Sequence, residues 1–443
     1  MRDHSNKPRL IPLRDFFKNP EKTSFKISHD GNYISYLASY KKRLNIFVQK
    51  LEEDEAVRVT NETKRDIISY LWGNNKRLLY LQDNNGDENF HLYAVDIDGG
   101  NLKDLTPFEN ITTMIIDELE EIDDEVIIAL NKRNPEIFDA FRLNIRTGQL
   151  KLEAENPGNI SEWYTDHEGK IRVAVTTDGV NSSLLYRDKS TEPFKSVLTT
   201  SFKESVRPLF FTFDNKYLYA SSNLNRDKSA LVKFDISKGK EIELFYEHPD
   251  VDVNDLEYSK KRKVLTMVSY YTWKRQLEFL DEETKKIYER LKPELGEYDI
   301  VIADMNKQED KFLIRTYSDR SFGAYYFYDK NSNELKKLAE VSPWLKENEL
   351  SVMKPVSFAA RDGLKINGYL SLPQGVETKN LPTVLLVHGG PWSRDTWGYS
   401  PESQFLTNRG FAVFRVDYRG SIGYGRKFWE ASFKQWGKKM QDD

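Results

Sequence analysis

A polar turn followed by a short β-rich run recurs seven times between residues 24 and 345, and this self-similarity restricts the fold more than any other property of the sequence. The turns are His29-Asp30-Gly31-Asn32, Gly73-Asn74-Asn75-Lys76, Glu121-Ile122-Asp123-Asp124, His167-Glu168-Gly169-Lys170, Asp214-Asn215-Lys216, Ser259-Lys260-Lys261-Arg262 and Gln308-Glu309-Asp310, spaced in the mid to upper forties. The runs that follow, such as Tyr33 to Ala38, Val126 to Leu130 and Val264 to Ser269, carry the β-branched, aromatic and alternating pattern of strands. A second hairpin closes the units, as in Leu92 to Gly100, Phe141 to Gly148 and Leu231 to Gly239. Seven units of four strands predict a β-propeller, an arrangement that leaves only short, protected sheet edges. The charge run Glu282, Glu283, Lys285 and Lys286 reads as a solvated face.

Composition agrees with a strand-rich chain of more than one domain. There are 443 residues, beyond the ~250–300 at which a single core stops growing, with 25 Phe, 24 Tyr and 8 Trp. Basic and acidic residues nearly cancel at 66 against 70, which gives no footprint for nucleic acid or a membrane surface. Cysteine is absent, which excludes disulfides and thiol catalysis. Residues 1 to 20 hold no apolar run of signal-peptide length and no later run is long enough to span a bilayer, so a soluble, cytoplasmic protein is expected.

From Met353 the pattern changes. Lys354 to Phe358 and Lys365 to Leu370 read as strands around the turn Arg361-Asp362-Gly363, Pro382 to Val387 as a third, buried strand, and Phe411 to Val416 as a fourth. Ser400 to Arg409 reads as a helix closed by Gly410. Strand, loop, helix, strand opens an α/β unit. The expected organisation is an N-terminal segment, 1–23, packing on the hydrolase part, a seven-bladed propeller, 24–345, and the first part of an α/β-hydrolase domain, 346–443.

The third strand runs into His388-Gly389-Gly390-Pro391-Trp392, and Asp417-Tyr418-Arg419-Gly420-Ser421 with Gly423-Tyr424-Gly425 follows the fourth. Two glycines at a strand exit let the backbone bend so that an N–H points at the oxyanion of a tetrahedral intermediate. With the preceding propeller, and with Trp436-Gly437 and Met440 to Asp443, this combination resembles the prolyl oligopeptidase family of serine peptidases, in its acylaminoacyl-peptidase and dipeptidyl-peptidase-like branch. The resemblance implies that Gly390 supplies an oxyanion-hole N–H, that Gly389 supports the turn, and that the Ser-His-Asp triad lies beyond residue 443. No Gly-x-Ser-x-Gly elbow occurs in these residues, so the chain as given is expected to be inactive. The implied substrates are short peptides, with no cofactor and no metal.

Bland readings stand beside these. His388 is placed to order the loop, since the family's catalytic histidine follows the serine. His4, His29, His91, His167 and His248 show no ligand spacing. Trp392, Arg394, Trp397 and Tyr399 either line a substrate pocket or pack the propeller against the hydrolase part. Asp417 and Arg419 read as a structural ion pair or loop anchor, and Gly420 to Gly425 lacks the lysine-hydroxyl pair of a phosphate loop. The rival to a peptidase fragment is a non-catalytic propeller that binds peptides or acts as a scaffold, with a vestigial hydrolase remnant.

Overall fold

The computed structural model describes residues 8–443. A short helix, α1 (Leu13–Phe17), precedes the repeats. Among the described residues seven antiparallel sheets then follow one another, at 22–58, 70–104, 113–154, 160–201, 206–246, 253–279 and 299–340, and are called blades 1 to 7. Each is a meander of strands in chain order.

The expectation of four strands in every unit fails once. Blade 6 has three strands, and the place of a fourth is taken by α2 (Glu282–Leu295). Asp281 caps this helix by accepting from the Thr284 N–H at 2.8 Å. Ile287, Leu291 and Leu295 recur four residues apart and bury one face against Phe312 and Ile314 of blade 7. The charge run at 282–286 is the solvated face of the first turns of this amphipathic helix.

Seven apolar clusters sit between the sheets, one at each seam. Ile46 and Val48 meet Trp72 and Tyr80 between blades 1 and 2, Leu79 meets Val126 and Ile128 between 2 and 3, and Ile127 meets Trp163 between 3 and 4. Val173 packs with Phe211 and Phe234, Leu231 with Val253 and Val268, and Met267 with Phe312. The last cluster closes the ring: Phe25, Ile27, Ile34 and Tyr36 of blade 1 pack on Leu313 and Tyr325 of blade 7. The Phe25 ring lies 4.9 Å from that of Tyr325. The seam is reinforced where Ile27 N–H donates to Asp304 Oδ2 at 2.9 Å and Lys311 Nζ to the Gly31 carbonyl at 2.9 Å. No strand crosses it, because every sheet is built from one contiguous stretch.

After blade 7 the chain forms a mixed sheet of β1 (Met353–Ala359), β2 (Lys365–Ser371), β3 (Thr383–Val387) and β4 (Ala412–Asp417), in the order β1-β2-β4-β3. β3 and β4 are parallel, joined through α3 (Pro401–Asn408), while the other pairs are antiparallel. Ser400 caps α3 and Pro401 occupies its first turn. The sequence expectation of a buried third strand is corrected here. Among the described residues β3 is an edge whose only hydrogen-bonded neighbour is β4, and Leu385 and Val387 are 56% and 51% exposed.

The segment before blade 1 lies on this last unit. Asn408 of α3 accepts from Ile11 N–H and donates to the Arg9 carbonyl, both at 2.9 Å, and Phe16 packs edge-on to Phe405 at 5.9 Å.

Phe25→Ala should cost about 3–5 kcal/mol in urea unfolding, as for other large-to-small core changes, and hydrogen exchange should accelerate first in blades 1 and 7. At the open edge, Leu385→Lys should reduce concentration-dependent association of the 443-residue chain in sedimentation velocity, because a charge on an apolar edge opposes pairing with a second chain.

Candidate active site

Parallel strands β3 and β4 end on the same side of the sheet, and the crevice beyond the carboxyl ends of such strands is where α/β folds build sites. Two loops meet there, 388–399 after β3 and 418–425 after β4. His388 joins them: its ring stacks on Tyr418 at 4.6 Å, its Nε2 lies 2.9 Å from Ser421 Oγ, and its carbonyl accepts from Tyr418 Oη at 3.1 Å.

Ser421, His388 and Asp417 come close enough to suggest a triad, and the geometry refuses it. Asp417 Oδ1 is 3.9 Å from the same Nε2 that faces the serine, whereas a triad places the carboxylate on Nδ1. Nδ1 instead faces the Gly389 carbonyl at 2.9 Å. Ser421 is fully buried and its hydroxyl donates to the Tyr418 carbonyl at 2.7 Å. These groups fix the loops.

Gly390 sits at the turn with φ +139°, a conformation that favours glycine, and a Cβ there would lie 2.6 Å from the Trp392 nitrogen. Its N–H donates to no protein acceptor among the described residues. Gly389 is exposed, with open space where a Cβ would stand.

Asp417 and Arg419 do not pair with each other. Asp417 is fully buried, accepts from Asp395 N–H at 2.7 Å and from the Tyr424 hydroxyl, and burial raises its carboxyl above the ordinary range. Arg419 turns the other way, to Asp443 at 2.6 Å and Asp362 at 2.9 Å. Those hydrogen bonds, with Lys439 alongside, hold the Asp362 carboxyl well below its ordinary range.

The glycine loop 420–425 is a docking loop. Gly425 N–H donates to Asp252 Oδ2 at 3.1 Å, Asp252 N–H donates to the Gly423 carbonyl at 3.0 Å, and Lys228 Nζ donates to the Tyr424 carbonyl. Asp227 receives Lys427 N–H at 2.7 Å and, through its carbonyl, Arg426 N–H at 2.8 Å, at the start of α4 (Arg426–Glu430). Within the loop, Gly425 N–H is thus committed to a propeller oxygen, and the N–H groups of Gly420, Ser421 and Ile422 to the carbonyls of Phe428, Tyr418 and Ser393.

Between blades 4 to 7 and residues 396–399 lies a cavity of about 950 Å³. Trp397 and Tyr399 line it, joined by the propeller residues Arg207, Asp255, Glu257, Arg275, Arg315 and Tyr317. A smaller cavity of about 350 Å³, sharing Asn254, Asp255, Ser269 and Tyr271 with the first, holds Arg394, whose guanidinium donates to the Thr272 carbonyl at 3.0 Å. Arg394 therefore both lines a cavity and ties the loop to blade 6. Trp392 lines neither; it is 55% exposed and packs edge-on to Trp429 at 5.3 Å. The charged propeller residues were not singled out in the sequence. One signal was present, since Arg315 interrupts the buried run Phe312 to Ile314 ahead of Thr316.

A seven-bladed ring carrying the opening of an α/β sheet, with a cavity between them, defines the class. The family model described as "Prolyl oligopeptidase family" matches residues 397–443. Dipeptidyl aminopeptidase BIII of Pseudoxanthomonas mexicana is 33% identical over 98% of this chain, and Dipeptidyl peptidase family member 6 of Caenorhabditis elegans is 26% identical over 98%. The chain spans 64% of the length of each of these two relatives. A crystal structure of puromycin hydrolase superposes over 99% of this chain and 72% of its own, with a TM-score of 0.72 at 14% identity, a likeness of fold. Residues 397–443 carry the match to that family, and nearly the whole chain is similar to these two peptidases.

Asp362→Asn should lower the thermal midpoint at neutral pH. A carboxyl held below its unfolded value contributes fully above the ordinary range near ~3.9 and loses that contribution as pH falls through the folded value. The difference between wild type and variant should accordingly shrink between pH 5 and strongly acid solution; the check is differential scanning calorimetry across that range.

Proposed function

We propose that this chain supplies the propeller, the substrate cavity and the leading part of the catalytic unit of a cytoplasmic serine peptidase that hydrolyses short peptides. The observation that carries the reading is the Gly390 N–H, unoccupied at the carboxyl end of β3, in the loop that continues into the cavity wall at 396–399. In this reading the nucleophile, aspartate and histidine of the triad come from residues after Asp443. The serine attacks the peptide carbonyl, and Gly390 N–H with the N–H after the serine holds the developing oxyanion. Walls from blades 4 to 7 confine the substrate to an extended peptide of a few residues, because a folded domain does not enter 950 Å³.

Purified residues 1–443 should neither turn over aminoacyl or dipeptidyl chromogenic substrates nor take up a fluorophosphonate probe. The product of the full reading frame should do both. In that product Gly390→Ala should lower kcat by about 10²-fold or more with a smaller change in KM, as for loss of an oxyanion donor. Labelling of the 443-residue chain, or an unchanged kcat in the variant, counts against the reading.

A further inference from the structure

Charged side chains on the propeller wall of the larger cavity are unequally compensated. Three guanidinium groups, Arg207, Arg275 and Arg315, face two carboxylates, Asp255 and Glu257. Arg275 lies 3.6 Å from Glu257 and points at the Ile300 carbonyl at 3.4 Å. Arg207 donates to the Asn254 carbonyl at 2.8 Å and meets no carboxylate among the described residues. Arg315 is the least satisfied. Its one hydrogen bond is a long 3.4 Å contact to the Phe322 carbonyl, its buried Nε has no partner, and no carboxylate reaches it among the described residues.

Many other arginines of the blades meet carboxylates, although Arg58, Arg187 and Arg320 do not among the described residues. Arg77 meets Asp96, Arg142 meets Glu125 and Glu153, Arg172 meets Asp166 and Asp188, and Arg226 meets Glu241. Arg315 is half-buried with one long hydrogen bond, so its fork is free to take up a bound anion at the cavity wall. A carboxylate matches the planar fork with two parallel hydrogen bonds, and Tyr317, Phe322, Trp397 and Tyr399 provide apolar surface around it.

We propose that Arg315, assisted by Arg207, anchors a carboxylate of the peptide bound in this cavity, so that the chain selects peptides bearing a negative charge at that end of the site. The proposal rests on the reading of the cavity as a peptide site. The carboxylate belongs either to the peptide C-terminus or to an acidic side chain, and both offer the same fork-matching chemistry. Arg315 is a binding and specificity residue; it takes no part in bond breaking.

The test measures binding to the purified 443-residue chain, which needs no nucleophile. Ala-Phe-Ala as the free acid, its C-terminal amide, and the amide Ala-Phe-Glu-NH2 are titrated by calorimetry into wild type, Arg315→Met, Arg315→Lys and Arg207→Met, with circular dichroism confirming that each variant is folded. The free acid should bind about ten- to a hundredfold more tightly than its amide, the range for a hydrogen bond to a charged group. That preference should vanish in Arg315→Met, persist partly in Arg315→Lys and weaken in Arg207→Met, whose side chain is exposed and whose one lost contact is the hydrogen bond to the Asn254 carbonyl. If Ala-Phe-Glu-NH2 alone carries the preference, the anchored group is the side chain, and the proposal stands with that source. Equal binding of all three peptides to wild type, or a preference that survives both methionine variants, overturns the anchor while leaving the peptide site intact. Absence of binding by any peptide overturns the anchor and the peptide-site reading together.

Discussion

Apolar packing between neighbouring blades is the interaction on which everything else in this molecule rests. Each sheet is complete within its own stretch of chain, so no backbone ladder ties one blade to the next. The ring exists because Trp72 and Tyr80, Leu79, Trp163, Phe211, Leu231, Met267 and Phe25 each bury surface that their own blade leaves bare. Side-chain burial of this kind is non-directional, and it tolerates the replacement of a fourth strand by a helix in blade 6 because α2 presents an apolar stripe of the same width. The seam between blades 7 and 1 is chemically like the other six, with aromatic rings and a few hydrogen bonds, yet it alone joins parts of the chain that are distant in sequence.

The C-terminal unit is held to that ring by aromatic contacts, such as Phe322 with Tyr399 and Phe202 with Trp429, and by a set of polar contacts. Asp227 and Asp252 on the blade 4–6 side receive backbone N–H groups of the 423–427 segment, and Arg394 reaches the carbonyls at the end of a blade 6 strand. Charge-assisted hydrogen bonds are strong only in a fixed geometry, so they set the orientation of the two parts and with it the width of the cavity between them. The same residues that read in sequence as a glycine-rich loop are thus the hinge pins of the interface, and the cavity's shape follows from where they seat.

Much of the ring was legible because its signal is local and repeated: a polar turn, then a β-rich run. Blade 6 was misjudged because Glu282 to Lys286 drew attention to charge, while the informative pattern was the Asp281 cap followed by Ile287, Leu291 and Leu295. Gly389 and Gly390 were legible as a strand exit since the apolar run ahead of them ends abruptly. Asp417 and Arg419 are near in sequence but face different partners, since the chain leaves β4 at Asp417 and turns. The cavity's arginines come from three blades, and nothing in a linear reading brings Arg207 and Arg315 to one wall.

The segment before blade 1 sits on the helix between β3 and β4, and that places a demand on the order of synthesis. Ile11 and Phe16 leave the ribosome long before their partners Asn408 and Phe405, the Ile11–Asn408 contact spanning 397 positions. At bacterial and eukaryotic elongation rates of about 5–20 residues per second, these side chains wait roughly 20–80 s before the surface that covers them exists. Seven blades assemble in that interval with an apolar thread trailing from the first, so the nascent chain stays sticky ahead of blade 1 until α3 arrives.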